Sequence, residues 1–223
     1  MLALKQALSL VSTNTLGGWQ PSDETGLEAW YKNKEGITLN GSDVSAWADS
    51  SSNSYDMVQA TATEQPAYNA STGALTFDKT AVQSLQTTSQ ISISSDFTIG
   101  VRLEPLSNNV IILGDNTANN EFFKINNSTT LRVKTDSASQ VDIIVNDGDL
   151  VDDNYLVLTR ASSLVTLYVN GVVQTDTKTL AGTVDIDAIG VRNTDTNPFD
   201  GTISEIQIYD STNAALTANI NTY

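Results

Sequence analysis

Residues 164–174 read Leu-Val-Thr-Leu-Tyr-Val-Asn-Gly-Val-Val-Gln, and this stretch carries the strongest local structural signal of the sequence. Up to the Asn170-Gly171 pair, every second residue is a strongly apolar one, as in a β-strand that buries one face. Asn-Gly readily supplies the two positive φ angles of a type I′ turn, so the stretch predicts a tight antiparallel hairpin. Residues 155–160 form another apolar run just upstream, which predicts a further strand that feeds the hairpin.

The same alternation continues on both sides of the hairpin. It is clearest at residues 97–103, where Phe97, Ile99, Val101 and Leu103 fall on one face of the predicted strand. Clusters of Asn, Asp, Ser and Gly separate the other strands, which we predict at residues 110–113, 121–125, 131–135, 141–145, 186–191 and 201–209. No helix-length pattern lies between them, so the chain is predicted to be all-β.

The two ends of the chain depart from this strand series. Residues 19–68 contain scattered Pro and Gly and are predicted to be loop-rich. Near the other end, Thr212 is a suitable N-cap, and residues 213–220 after it predict a short C-terminal helix.

The composition excludes several classes of function. A chain of 223 residues fits one large β domain, predicted at residues 19–223. Its net charge of -15 repels phosphate backbones, so nucleic acid is not an expected partner. It has no histidine and no cysteine, which removes the usual catalytic base and the thiolate metal sites. No apolar run reaches the length of about 18 residues that would predict membrane insertion.

Residues 1–18 form a mildly apolar N-terminal segment that ends at a Gly-Gly pair. Periodicity does not decide between a short amphipathic helix and an extended arm. Lys5 and Gln6 interrupt the apolar run and no small-residue cleavage site follows clearly, so a signal peptide is the less favoured interpretation. We expect an assembly arm whose contact residues are Leu2, Leu4, Leu8, Leu10 and Val11.

Three stretches carry a resemblance to a known family. The first runs over residues 27–68 and contains Leu-Glu-Ala-Trp-Tyr and Val-Ser-Ala-Trp-Ala-Asp; the others are the Leu-Tyr-Val-Asn-Gly hairpin and residues 201–209. In this order they resemble the concanavalin A-like lectin and glucanase superfamily, in particular its laminin-G-like jelly-roll domains, over nearly the whole chain after Trp19. The resemblance implies a two-sheet antiparallel jelly-roll sandwich with an N-terminal arm and a short C-terminal helix.

Members of such a family serve glycan binding, calcium-dependent adhesion, glucan hydrolysis or plain architecture, and the fold does not choose among them. In the hydrolytic relatives the catalytic carboxylates follow the pattern Glu-x-Asp-x-x-Glu on one strand. No Glu of this chain has an Asp two positions later. Asp185 and Asp187 would share a strand face, but without the accompanying Glu they are interpreted as solvent-facing residues. The chain is therefore expected not to be an enzyme.

Calcium is the metal that this residue inventory supports best, because it takes carboxylate and carbonyl oxygens. The candidate ligands are Asp115 and Asn116 after one predicted strand, and Asp147 and Asp149 in an Asn-Asp-Gly-Asp run. The run lacks the spacing and terminal Glu of an EF-hand loop. Asp, Asn and Gly also build ordinary turns, which is the alternative interpretation of both places. No other cofactor is expected.

Sugar binding commonly uses an exposed aromatic ring beside Asp and Asn acceptors. Phe199, Tyr55 and Tyr68 lie in or near predicted loops and are the candidate ligand-binding residues. For Phe199, in the sequence Asn-Pro-Phe-Asp, a ring that plugs the loop is the alternative. Other aromatic residues at family-like positions are expected in the core, namely Trp30, Trp47 and Tyr168.

An arm ahead of such a domain also resembles structural proteins of marine tailed phages, especially cyanophages. This resemblance implies a virion structural protein, a decoration or fibre component on the exposed particle surface. Its expected partners are other virion proteins and further copies of the chain. The alternative is an adhesion module that recognises a cell-surface glycan, with or without calcium. A rigid, self-contained jelly roll that tolerates loop changes suits either function.

Overall fold

The computed structural model describes residues 18–117, 120–136, 140–146, 149–193 and 195–223. In chain order the strands and the helix are β1 Leu27–Tyr31, β2 Ile37–Asn40, β3 Asp43–Trp47, β4 Met57–Val58, β5 Ala67–Asn69, β6 Ala74–Phe77, β7 Leu85–Ile93, β8 Phe97–Pro105, β9 Val110–Asp115, β10 Asn120–Asn127, β11 Thr130–Lys134, β12 Gln140–Ile144, β13 Asn154–Ala161, β14 Leu164–Val169, β15 Val172–Val173, β16 Lys178–Thr179, β17 Val184–Ile189, β18 Gly201–Tyr209 and α1 Ala214–Ile220. No described helix has the length and apolar character that crossing a bilayer requires.

These strands form a sandwich of two antiparallel sheets. One, the helix-side sheet, has the order β1-β18-β8-β13-β14-β15. The other, the opposite sheet, has the order β7-β17-β9-β10-β11-β12. The short strands β2 to β6 connect the two through the β6–β18 and β4–β7 pairs. The predicted all-β, two-sheet jelly-roll sandwich is therefore confirmed.

The main core lies between the inner faces of the two sheets. Strand β8 shows why: Phe97, Ile99, Val101 and Leu103 are all buried in it, as their alternation predicts. Side chains from the inner faces of β13, β18, β9, β10 and β17 contribute to this core together with those of neighbouring strands. Burial of this apolar surface is the main source of stability for such a sandwich.

The central hairpin forms as predicted. Asn170 and Gly171 have φ angles of 51° and 79°, which are the two positive values of a type I′ turn. The Asn170 side chain also ties the turn to β13, because its Oδ1 accepts a hydrogen bond from the Tyr155 N–H at 2.8 Å. Strands β14 and β18 have the bounds that the sequence predicts.

The structure corrects the prediction of a loop-rich segment at residues 19–68, because strands β1 to β5 lie there. These strands are short, and a register shift between Thr38 and Leu39 interrupts the β2–β3 pair. Val44 and Trp47 are consequently both buried although they are three residues apart. A bulge of this kind breaks the period of two on which strand prediction depends.

Two further boundaries differ from their predictions. The N-cap of α1 is Asn213 and not Thr212, since the Asn213 Oδ1 accepts a hydrogen bond from the Leu216 N–H at 2.8 Å. Strand β17 begins and ends two residues earlier than predicted. The predicted arm contacts Leu2, Leu4, Leu8, Leu10 and Val11 lie outside the described residues.

Helix α1 packs on the outer face of the helix-side sheet. A small second cluster holds it there, formed by Tyr155, Val157, Tyr209, Leu216 and Ile220. Beneath the helix, Gly100 leaves the space that it needs, because a Cβ at this position would lie 2.8 Å from the Ile220 Cδ1.

A hydrogen-bonded chain of side chains lies beside this cluster. The Trp30 Nε1 donates to the Glu205 Oε1 at 2.9 Å, Gln207 donates to the same carboxylate, and the Tyr209 hydroxyl donates to Gln207. The Tyr223 ring, just after α1, makes edge contacts with Trp19 at 5.6 Å and with Trp30 at 6.3 Å. Tyr223 thus fixes the residues after the helix against Trp30 of the helix-side sheet.

Candidate functional site

One polar pocket lies at the rim of the sandwich, where several loops meet. This rim pocket has a volume of about 440 Å³ and contains Asn116, one of the predicted calcium ligands. The other lining residues are Glu64, Thr80, Ala81, Val82, Ser84, Gln86, Asn193 and Asp195. No aromatic ring is among them, so the rim pocket offers hydrogen bonds but no stacking surface.

Beside the rim pocket, Asp115 and Asp187 are buried carboxylates that stabilise one turn. The Asp115 Oδ1 accepts hydrogen bonds from the Thr117 N–H at 2.9 Å and from the Thr117 hydroxyl at 2.7 Å. The Asp187 Oδ1 accepts one from the Asn116 N–H. Asn116 itself donates through its side chain to Gln86 at 2.8 Å. These contacts match the turn-forming interpretation of Asp115 and Asn116.

The second predicted calcium site consists of Asp147 and Asp149, of which Asp149 also stabilises a turn. The Asp149 Oδ1 accepts a hydrogen bond from the Val151 N–H at 3.0 Å, and its carbonyl accepts one from Asn154. Asp147 lies outside the described residues. Among the residues that the structure does describe, no group of three or more acidic, His or Cys side chains is arranged to hold a metal ion. Calcium binding stays a prediction that a titration can test.

Burial corrects the interpretation of Asp187 as a solvent-facing strand residue. Its side chain is only 3% exposed, because the turn at residues 115–117 covers it. Asp185 is partly exposed and accepts a hydrogen bond from the Ser92 hydroxyl. Removal from water raises the pKa of the Asp187 carboxyl. The hydrogen bond from the Asn116 N–H lowers this pKa, and the negative charge of Asp115 raises it further.

This raised pKa gives a testable pH dependence. Between the unfolded value of about 3.9 and the folded pKa, the folded state binds more protons than the unfolded chain, so the contribution of Asp187 to stability falls as pH rises through that window. Asp187→Asn keeps an acceptor for Asn116 but does not titrate. The stability of this variant relative to the natural protein should therefore increase with pH across the window. Urea unfolding from about pH 3.5 to 7 measures both proteins, and parallel curves would contradict the prediction.

The three predicted aromatic ligand-binding residues do not form a platform. Phe199 is fully buried and its ring packs edge-on against Phe77 at 5.8 Å, so it plugs the core and does not face a ligand. Tyr55 and Tyr68 are half-buried and pack against the main core. Of the aromatics expected in the core, Trp47 is buried in the main core. Trp30 is buried beside the second cluster, and Tyr168 is half-buried on the outer face of the helix-side sheet.

A second cavity lies between that outer face and α1. This helix–sheet groove has a volume of about 660 Å³. Its floor is formed by Thr159, Ala161, Thr166, Tyr168 and Gly171 from strands β13 and β14 and their turn. Its wall is formed by α1 and its flanking residues, namely Thr212, Asn213, Ala214, Thr217, Ala218, Asn221 and Thr222.

The floor of the groove combines a ring with hydroxyl groups. Thr159 and Thr166 are paired across strands β13 and β14, and Tyr168 pairs with Val173 on the adjacent strand β15. Because directly opposed residues of a sheet share a face, Val173, which is 52% exposed, extends the apolar surface beyond the Tyr168 ring. A ligand lying in the groove would meet apolar contact area along one side.

Several polar groups of the groove have no hydrogen-bond partner among the described residues. They are the hydroxyls of Thr166, Tyr168 and Thr212 and the Nδ2 of Asn213, whose Oδ1 is used by the helix cap. The Oδ1 of Asn221 is buried without a partner, while its Nδ2 donates to the Thr217 carbonyl at 2.8 Å. All of these groups are uncharged. The groove therefore presents hydrogen-bonding capacity without a formal charge.

Two periodic signals in the sequence place residues of this groove on common faces. Thr166 and Tyr168 alternate with inward-facing apolar residues in β14, so they share the outer face. Asn213, Thr217 and Asn221 recur at intervals of four around α1, which places them on one side of the helix. What the sequence does not reveal is that the helix folds back over this particular hairpin.

Comparison with known proteins identifies relatives of the fold. The family model of the concanavalin A-like lectin/glucanases superfamily matches residues 77–219, which is more than half of the chain. A comparison with curated proteins finds no match.

Two solved structures are similar over most of the chain. One is domain 4 of AbnA, a GH43 extracellular arabinanase from Geobacillus stearothermophilus, in complex with arabinotriose: the TM-score is 0.56 at 18% identity, and the match covers 87% of this chain and 98% of that domain. The other is the Trypanosoma rangeli sialidase in complex with the inhibitor DANA, with a TM-score of 0.52 and 14% identity; the match covers 89% of this chain but only 33% of the sialidase. At these identities the likeness establishes the fold alone.

Proposed function

This chain belongs to the concanavalin A-like lectin/glucanases superfamily, and on that basis we propose that it is a glycan-binding module whose ligand site is the helix–sheet groove. The observation that carries the proposal is the lining of the groove. A half-exposed tyrosine ring lies among hydroxyl and amide groups, several of which have no hydrogen-bond partner among the described residues, in a cavity of about 660 Å³. Volumes of this order are usual for small-molecule sites in proteins.

Such a surface has the two kinds of group that a sugar needs for binding, an apolar ring face and hydrogen-bonding side chains. The faces of a sugar ring are apolar C–H surfaces that pack on aromatic side chains, and its hydroxyls both donate and accept hydrogen bonds. Tyr168 supplies the ring, and Thr166, Thr212 and Asn213 supply polar groups around it that have no partner in the described part of the chain. The similar arabinanase domain was solved with arabinotriose, which supports glycan binding by this fold but does not locate the site here.

We propose binding without hydrolysis. Glycoside hydrolysis by the usual route needs two carboxyl groups on either side of the scissile bond. None of the residues that line the helix–sheet groove is Asp or Glu. A glycan held there would meet no carboxyl group among the described lining residues.

A glycan array probed with the full chain tests the proposal, followed by calorimetry with each glycan that binds. We expect selective binding to one class of glycan, with unchanged chain length of the glycan after prolonged incubation. Binding to none of the arrayed glycans would overturn the proposed function, and shortened glycans would overturn the proposal that no hydrolysis occurs.

We also propose that residues 1–18 attach the module to a larger assembly, such as the exposed surface of a virion. The position of Trp19 supports this proposal. Its ring contacts Tyr223, and its Nε1 donates to the Glu24 Oε1 at 2.9 Å, so the root of the arm is fixed on the same face as α1. The arm would then leave the domain from this face.

Removing residues 1–18 should abolish attachment to the assembly and leave folding of the domain intact. The urea midpoint of the shortened chain is expected to change little, because Trp19 and all the described strands remain. Incorporation into particles should be lost, which sedimentation of particles assembled with either form measures. Normal incorporation of the shortened chain would contradict the attachment proposal and leave the glycan proposal unaffected.

A further inference from the structure

We infer that the helix–sheet groove selects uncharged oligosaccharides and rejects sialylated, sulfated and uronic acid glycans. This inference rests on the proposed function, since it names the class of glycan that the same site takes. It is carried by the charges around the groove together with the groups that line it.

Anionic groups of sugars need a cationic partner to be bound tightly, and Arg and Lys are the side chains that provide it. None of the described residues that line the groove is charged. A carboxylate or sulfate placed in the groove would lose part of its hydration without gaining an ionic contact. This loss costs free energy, because a partly buried charge must be paired or solvated.

The cations that lie nearest in the sequence are held elsewhere. Arg160, one residue before the groove residue Ala161, is 3% exposed, and its guanidinium donates to the carbonyls of Ile93, Ser95 and Gly182. Lys178 on β16 forms an ion pair with Asp176. Moving either side chain into the groove would break these contacts.

The net charge of the chain is negative, and the exposed Arg102 of the same sheet is engaged with the Tyr223 main-chain oxygen and the Tyr155 ring. The full chain carries 26 acidic and 11 basic side chains, which gives a net charge of -15. One carboxylate lies close to the end of the groove, because the Asp96 Oδ1 accepts a hydrogen bond from the N–H of Ser162, the residue after Ala161. A field of this sign repels an approaching anion and leaves a neutral ligand unaffected.

The lining groups suit hydroxyls in particular. The hydroxyls of Thr166, Tyr168 and Thr212 can each donate or accept a hydrogen bond. They can therefore pair with a sugar hydroxyl whether that hydroxyl donates or accepts. The Asn213 Nδ2 adds a donor, and the Asn221 Oδ1 is an acceptor that has no partner within the described residues.

The test uses an array that carries the same glycan cores with and without sialic acid, sulfate or uronic acid. We expect the bound glycans to be uncharged, and each charged counterpart to bind at least about tenfold more weakly. The affinity for an uncharged glycan should change by less than about twofold between roughly 0.05 and 0.5 M NaCl, because no charge pair contributes. Charged glycans that bind as well as their cores would overturn the inference and leave the proposed function standing. Binding to no glycan would overturn both.

A charge variant tests the cause. Ala218 is exposed on the wall of the groove, so Ala218→Arg adds a guanidinium there, and Ala218→Gln is the matched uncharged control. The arginine variant should gain at least about fivefold in affinity for a sialylated glycan relative to the glutamine variant, through a charge-assisted hydrogen bond. If the arginine variant is folded by circular dichroism and still rejects sialylated glycans as strongly as the control, the electrostatic explanation is wrong.

Discussion

Replacing Tyr168 by alanine is expected to lower the affinity of the groove for its glycan by about 10- to 100-fold, which corresponds to about 1.4–2.8 kcal/mol. The ring is the one aromatic surface among the lining residues, and it lies in the floor of the groove next to Thr166. Its loss removes both the packing surface and an unpartnered hydroxyl. Calorimetric titration of an array-selected glycan measures the change.

Tyr168→Phe is the matched variant, since it keeps the ring and removes only the hydroxyl. Its affinity should fall by no more than a few-fold, which is the usual effect of losing one exposed hydrogen bond. Because Tyr168 also packs against the second cluster, urea unfolding must show that both variants are folded at the titration temperature. An alanine variant that is folded and binds like the natural protein would place the ligand elsewhere.

Replacing Gly114 by alanine should destabilise the fold by about 2–4 kcal/mol. Gly114 lies in β9, opposite Ala188 of β17. A Cβ at this position would lie 2.2 Å from the Val191 carbonyl oxygen and 3.1 Å from its carbon. Both are backbone atoms, so the clash can be relieved only by separating β9 from the segment that follows β17.

Gly18→Ala provides the control, because a Cβ there would meet no atom within 4 Å. Its free energy of unfolding should remain within about 0.5 kcal/mol of that of the natural protein. Equilibrium urea unfolding gives both values. A Gly114→Ala protein as stable as the control would show that the chain after β17 moves aside at little cost.

The strands that could be predicted from the sequence are those whose signal is local. The type I′ turn at Asn170-Gly171 and the alternation in β8 each depend on neighbouring residues, and both are found where they were expected. Strands β2 and β3 lack such a signal, because their pairing is bulged and β2 is largely exposed. Strands of this kind resemble loops in the sequence.

The candidate site was less predictable, since each of its parts depends on contacts between distant segments. Phe199 follows a turn-like Asn-Pro pair, but Phe77 lies against its ring and buries it. Asp187 alternates like a solvent-facing strand residue, yet the turn after β9 covers it. The groove forms only because α1 packs on β13 and leaves space over β14, which no local pattern specifies.

The contacts of Tyr223 also make two tryptophan residues sensitive to the position of α1. Two of its three indoles, those of Trp19 and Trp30, touch this ring just beyond the helix that walls the groove, whereas Trp47 is enclosed in the main core. A shift of α1 would alter the emission of the first pair while the third indole responds only to unfolding. Ligand binding in the groove and unfolding of the domain could then be followed separately by tryptophan fluorescence, without an added label.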